Sequence, residues 1–180
     1  MPTDFFTLEL GRPHHSGYVV DSIEATVERL VEQFGAGPFI FIENVPLENV
    51  LSRGEPAVLE HNSAFGSCGG YPVELQEVAR AAPKRVEAKW SGPLPRIHHV
   101  GYAVQPAAAE ETRGAFEERG LPAYLSSQLN GETTTVHDAS PTLGHDIEIL
   151  VDAPALREFF DMILSAAEAW DGRDALRSLA

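Results

Sequence analysis

Two stretches of this 180-residue chain are nearly the same. His14-His15-Ser16-Gly17-Tyr18-Val19-Val20 and His98-His99-Val100-Gly101-Tyr102-Ala103-Val104 agree at both histidines, the glycine, the tyrosine and the last valine. The second histidines, His15 and His99, stand 84 residues apart, close to half the chain. A repeat at that spacing constrains architecture strongly, because it calls for two copies of one supersecondary unit. Each copy is short and carries Val and Tyr, which predicts a β-strand opening each unit.

The segments after the two copies also match. After the first, Asp21-Ser22-Ile23-Glu24 has the form of a capping box, an acceptor with Glu three residues on. Ile23, Val27, Leu30, Val31 and Phe34 then recur at helical spacing, and Gly35 suits the position just past a helix end. After the second copy a helix is expected over residues 107–119, ending at Gly120, with a weaker stripe of Ala and Phe116. Strands are predicted at residues 39–45, 57–65 and 73–78, and again at 123–129, 133–137 and 147–151. Ser52-Arg53-Gly54 and the cluster at 66–70 are turn formers, and Asn130-Gly131 is a tight-hairpin signal. The order β-α-β-β-β therefore occurs twice in an α+β protein. The expected organisation is a first βαβββ module over residues 1–82, a Pro-rich linker over 83–95 and a second module over 96–151. A C-terminal helix lies within 152–180, its apolar face marked by Phe159, Met162, Ile163, Ala166 and Trp170. Its simplest place is against the outside of the sheet.

Each module ends on a carboxylate between branched apolar residues: Val73-Glu74-Leu75 and Ile147-Glu148-Ile149. Side chains alternate faces along a strand. If the apolar neighbours face the helices, Glu74 and Glu148 face the other way, where a charged group needs a partner or a solvent-filled concavity. Alternation likewise sends His14 and His98 away from the face of His15 and His99. Two imidazoles and two carboxylates, His15, Glu74, His99 and Glu148, form a donor set for a divalent ion such as Zn, Ni, Co, Fe or Mn. Gln76, His61 or Glu77 could stand in for Glu74. His137 and His145 could line a cleft, although ordinary loop or surface roles suit them better. Cys68, in a Gly-rich turn, has no neighbour that would activate it.

With its residues in that order, the chain resembles the vicinal oxygen chelate superfamily, which includes glyoxalase I, methylmalonyl-CoA epimerase, extradiol dioxygenases and bleomycin-resistance proteins. The resemblance runs from His14 to Val151. It includes Gly35-Ala36-Gly37-Pro38-Phe39, which is similar to a turn of the glyoxalase-like branch. It implies paired βαβββ modules cupped around a metal. The second histidine of each pair, His15 and His99, would be a ligand, and Glu148 would be the firmest carboxylate. A homodimer is implied by the same resemblance.

Charge and composition narrow the partners. The net charge of -14 opposes binding to nucleic acid or an anionic membrane and leaves a small-molecule substrate. A single cysteine precludes an internal disulfide. The start lacks a basic region followed by an apolar run, and a cytoplasmic protein is expected. Neither a phosphate-binding loop nor a dinucleotide fingerprint is present.

The expected activity is that of a metal-dependent isomerase, epimerase or lyase. Such an enzyme would act on an α-hydroxy ketone, a hemithioacetal or an acyl-CoA thioester through a metal-stabilised enolate, with Glu148 as the base. The competing expectations are an Fe(II) ring-cleaving dioxygenase and a metal-free ligand-binding protein.

Overall fold

The structure is a computed structural model that describes residues 10–179; the start of the chain, expected to carry no leader, lies outside that range. The first half runs β1 (His15–Val19), α1 (Ile23–Phe34), β2 (Phe39–Ile42), β3 (Glu48–Ser52), β4 (Glu55–Pro56), β5 (Val58–Cys68), β6 (Tyr71–Ala82) and α2 (Lys84–Trp90). The second half runs β7 (Arg96–Val104), a short 3-10 turn (Pro106–Ala108), α3 (Ala109–Glu118), β8 (Ala123–Leu129), β9 (Glu132–His137), α4 (Ser140–Leu143) and β10 (Asp146–Val151). α5 (Pro154–Glu168) and β11 (Leu176–Ser178) complete it. The strands form one mixed sheet in the order β11-β2-β5-β6-β1-β7-β10-β9-β8-β3-β4.

The sequence repeat becomes a structural one at the centre of this sheet. β1 and β7 pair antiparallel, with Ser16 opposite Val100, His15 opposite Gly101 and Gly17 opposite His99. These are corresponding positions of the two copies, so the junction is symmetric about the Ser16–Val100 pair. Outside it, β6 runs parallel to β1 with Glu74 opposite Gly17, and β10 runs parallel to β7 with Glu148 opposite Gly101. His15 thus matches His99, and Glu74 matches Glu148.

Two helix-packed cores set the faces. Ile23 and Val27 of α1 pack with Phe39, Ala64, Val73 and Leu75. Ala109 and Phe116 of α3 pack with Ile147, Ile149 and Val151. Full burial of such a side chain stabilises by about 1.5–3 kcal/mol. With Val73, Leu75, Ile147 and Ile149 committed to the helices, alternation puts Glu74 and Glu148 on the opposite face, as expected. Asn130 and Gly131 turn the β8–β9 hairpin, both at positive φ.

Several expectations change. The cap of α1 is Ser22, whose Oγ accepts from Ala25 N at 3.2 Å, so the helix starts one residue later than the Asp21 reading. Glu77 Oε2 accepts from Ile23 N at 2.9 Å, which ties that carboxylate to the helix start and away from the site. The span read as a linker contains α2, which buries Val86 and Trp90. Residues 48–56 form an extra hairpin, β3–β4, whose first strand pairs with β8 of the other half.

The C-terminal helix is on the other side from the one expected. α5 does not lie outside the sheet; Phe160 packs against His15 and His14, with ring centroids 5.6 and 4.3 Å apart, and so roofs the face that carries the carboxylates. Beyond α5 the chain returns to the sheet edge, where β11 pairs with β2. Trp170 fills the space a side chain on Gly37 would need, its ring lying 2.7 Å from an added Cβ.

Candidate metal centre

Four side chains project from the four central strands toward one point. His15 Nε2 and His99 Nε2 are 3.2 Å apart. Glu148 Oε2 lies 3.3 Å from His15 Nε2 and 3.5 Å from His99 Nε2. Glu74 Oε2 lies 3.7 and 3.4 Å from the same atoms. Donor atoms of His15, His99 and Glu148 all fall within 4.8 Å of one another. Two ligand atoms bound at about 2.0–2.2 Å to one ion, at angles between roughly 100° and 120°, are separated by distances of this size. The donor set and its spacing fit a divalent cation.

Each ring is held from behind. His15 Nδ1 is 3.2 Å from His14 Nδ1, and His99 Nδ1 is 3.0 Å from His98 Nδ1. One partner of each pair donates, which leaves Nε2 of His15 and His99 directed at the shared centre. Both pairings depart from simple alternation, for identifiable reasons. His14 precedes β1 and stacks edge-on against Phe160 of α5. His98 sits in a bulge: β7 skips it in pairing with β1, so it shares the cavity side with His99. His98 also stacks on Trp90 at 4.4 Å, and its Nε2 is 3.3 Å from the Tyr124 hydroxyl.

The two carboxylates differ in their support. Glu74 Oε1 accepts from Ser63 Oγ at 2.7 Å and from Gln76 Nε2 at 3.2 Å, leaving Oε2 for the histidines. Gln76 therefore props Glu74 and does not replace it. Among the described residues, no side-chain donor other than His15 and His99 holds Glu148. His61 is buried at the same cavity, with its Nδ1 unpartnered. His137 is buried elsewhere, between Thr135 Oγ1 and the Leu121 carbonyl, and His145 Nδ1 meets the Asp146 carbonyl, so neither reaches the site.

The electrostatics of the metal-free cluster arise from this packing. Burial opposes charge on His15, but hydrogen bonds and attraction from Glu148 and Glu74 prevail and raise its pKa to about 9. Burial raises the Glu74 carboxyl, yet His15 and His99 outweigh it and hold it well below its ordinary value. Glu148 is lowered for the same reasons, against burial and repulsion from Glu74. Two crowded carboxylates alone would push one toward protonation; here His15 takes the proton instead. His14 is lowered to about 4 by burial and by His15.

The centre opens on a cavity of about 130 Å³, lined by the four residues together with His61, Gln76, Trp90, His98 and α5 side chains. Trp90 was not visible as a site residue in a charged, Pro-flanked segment. His98 was misplaced because a bulge leaves no signature in a run of alternating residues.

Two repeated βαβββ units, joined at their first strands and carrying histidines at the junction, define the vicinal oxygen chelate fold, and this chain has that fold. Its structure is similar to that of methylmalonyl-CoA epimerase from Mycobacterium tuberculosis, with TM-score 0.50 and 12% identity over 81% of this chain and 91% of that one. It is also similar to a hypothetical protein from Bacillus halodurans, with TM-score 0.51 and 19% identity over 79% of this chain and 94% of that one. No family model matches the chain, and no curated protein matches it in sequence. Among the described residues no helix is long and apolar enough to cross a membrane.

Proposed function

We propose that this protein is a divalent-metal-dependent enzyme of the isomerase, epimerase or lyase type, acting on a carbonyl compound with an acidic α-proton. The observation that carries the reading is the convergence of His15, His99, Glu74 and Glu148 at 3.2–3.7 Å. The fold similarity to an acyl-CoA epimerase is consistent with it. When bound, a divalent ion supplies Lewis acidity that polarises a carbonyl and stabilises negative charge left by a departing proton.

The residues divide the remaining work. His15 and His99, fixed through their Nδ1 atoms by His14 and His98, would hold the ion. Glu74, clamped by Ser63 and Gln76, would be a fixed ligand. Glu148 lacks such a clamp, which leaves its Oε2 free to turn to a substrate and accept the α-proton. Phe160 and Trp90 keep bulk water from the reacting carbon.

Solvent deuterium exchange tests this reading. Metal-loaded protein in D₂O should catalyse exchange at the α-carbon of a matched carbonyl substrate, in a screen of α-hydroxy ketones, hemithioacetals and acyl-CoA thioesters. Glu148→Gln should slow exchange by about 10²–10⁴-fold while keeping the ion. Exchange that persists in Glu148→Gln, or after metal removal, contradicts it. An Fe(II) dioxygenase would draw on the trio of His15, His99 and Glu148. The clamped Glu74 adds a fourth donor to that trio, which favours proton transfer.

A further inference from the structure

Beside the metal cavity lies a second, larger one of about 540 Å³. The two have seven wall residues in common, among them Phe65, Leu129, Leu150, Leu156 and Phe159. The larger space, partly open to solvent, is also lined by Ile42, Pro46, Asn130, Ala153 and Leu179. Among the described residues its lining contains a single ionisable side chain, the carboxylate Glu132, and no Lys, Arg or His.

We infer that the substrate of this site carries an oxygen-chelating head and an uncharged apolar tail, and is not a coenzyme A thioester. The inference rests on the metal-centred function proposed for the site and names the substrate class for it. A volume near 540 Å³ is of the size that holds a small organic ligand, and apolar walls favour a tail that leaves water. A coenzyme A moiety brings phosphate charges, which are recognised by Arg, Lys or backbone N–H groups. Among the described residues the chamber has no cationic side chain; it offers Glu132 instead, within a chain of net charge -14.

The head is specified too. Among the described residues, four buried side-chain polar atoms lack any hydrogen-bond partner, and three of them belong to residues at the metal cavity: His61 Nδ1, Gln76 Oε1 and Trp90 Nε1. Buried polar groups in native proteins are seldom left unpaired. A head with a hydroxyl beyond its two chelating oxygens can donate to an acceptor such as Gln76 Oε1 or accept from a donor such as Trp90 Nε1.

Two hydroxamic acids with the same bidentate head separate the parts of this claim. Protein loaded with Co(II) would be titrated with acetohydroxamic acid and with octanohydroxamic acid, following the visible Co(II) spectrum, with free coenzyme A as competitor. The octyl compound should bind about tenfold or more tighter, in line with burial of its extra methylenes. Millimolar coenzyme A, roughly the weakest affinity of interest, should not displace it. Leu179→Glu, at a 49% exposed wall of the larger space alone, should remove the tail-dependent gain and leave the Co(II) spectrum and the acetohydroxamate affinity unchanged. Leu179→Ser, which adds no charge, should give a smaller loss. Equal affinity for the two hydroxamates with a normal Co(II) spectrum overturns the tail, and displacement by coenzyme A overturns its exclusion. A chain that gives no ligated Co(II) spectrum overturns the metal-centred reading and this inference with it.

Discussion

The His99 imidazole occupies the space that a side chain on Gly17 would need, and the His15 imidazole does the same over Gly101. Each ring lies across the paired strand of the other half, over the glycine of the other His-His-x-Gly-Tyr copy. The glycine of the repeat is therefore a steric requirement for bringing two histidines from two modules to one centre. Gly17→Ala and Gly101→Ala should each displace the facing histidine. A loss of about 10–100-fold in metal affinity is expected, as for a disturbed supporting shell, with about 1–3 kcal/mol of destabilisation from overpacking. Competition with a chromophoric chelator measures the first and denaturant unfolding the second. Unchanged metal affinity in both variants would contradict the steric account.

The proton on His15 would compete with a bound ion. Because the folded-state pKa of His15 is raised from 6.5 to about 9, binding an ion near neutrality must release that proton. Apparent affinity should rise with pH by up to about tenfold per unit toward pH 9. In the metal-free protein the raised pKa contributes stability that is fully present below pH 6.5 and lost as pH rises through about 9. The depressed Glu74 and Glu148 contribute stability present above their ordinary 4.5 and lost on acidification. With chelator present, thermal melts should show this cluster most stabilising between pH 4.5 and 6.5. A metal affinity that is flat between pH 6.5 and 9 would exclude a proton-bound His15.

The carboxylates should respond unequally to mutation. Ser63→Ala removes the 2.7 Å bond that anchors Glu74 Oε1 and should weaken metal binding, with proton transfer following occupancy. Glu148→Gln should do the reverse, retaining metal and losing exchange. Isothermal titration and deuterium exchange on the same samples distinguish the two. Parallel losses in both variants would mean that neither carboxylate has a separate role.

Much of the fold was legible because it is written in short-range patterns. The His15 and His99 copies announce two modules, and alternation around Glu74 and Glu148 assigns their face without knowledge of the fold. The expectations that failed depend on tertiary placement. The spacing of Phe159 and Ile163 in α5 marks an apolar face but does not say which side of the sheet it meets. The bulge at His98 breaks the period on which its orientation was inferred. Strand β3, Glu48–Ser52, has no alternation to reveal it and is specified by its partner β8. Trp90 joins the site only because α2 folds back across the cup.

The roof over the centre is also testable. Phe160 is 6% exposed and packs on both His14 and His15. Phe160→Ala should cost about 3–5 kcal/mol in stability and should speed metal loss to a chelator, since the cavity gains an opening to water. A dissociation rate equal to that of the wild type would show that α5 does not gate the site.

Metal analysis bears most directly on whether His15, Glu74, His99 and Glu148 form a metal centre. The chain purified without chelators, or refilled from a mixture of Zn, Ni, Co, Fe(II) and Mn, should hold about one divalent ion. His15→Ala and His99→Ala should lose it while keeping the wild-type circular dichroism spectrum. A wild-type chain that stays metal-free after refilling, or a His99→Ala variant holding as much metal as the wild type, would contradict the proposed centre.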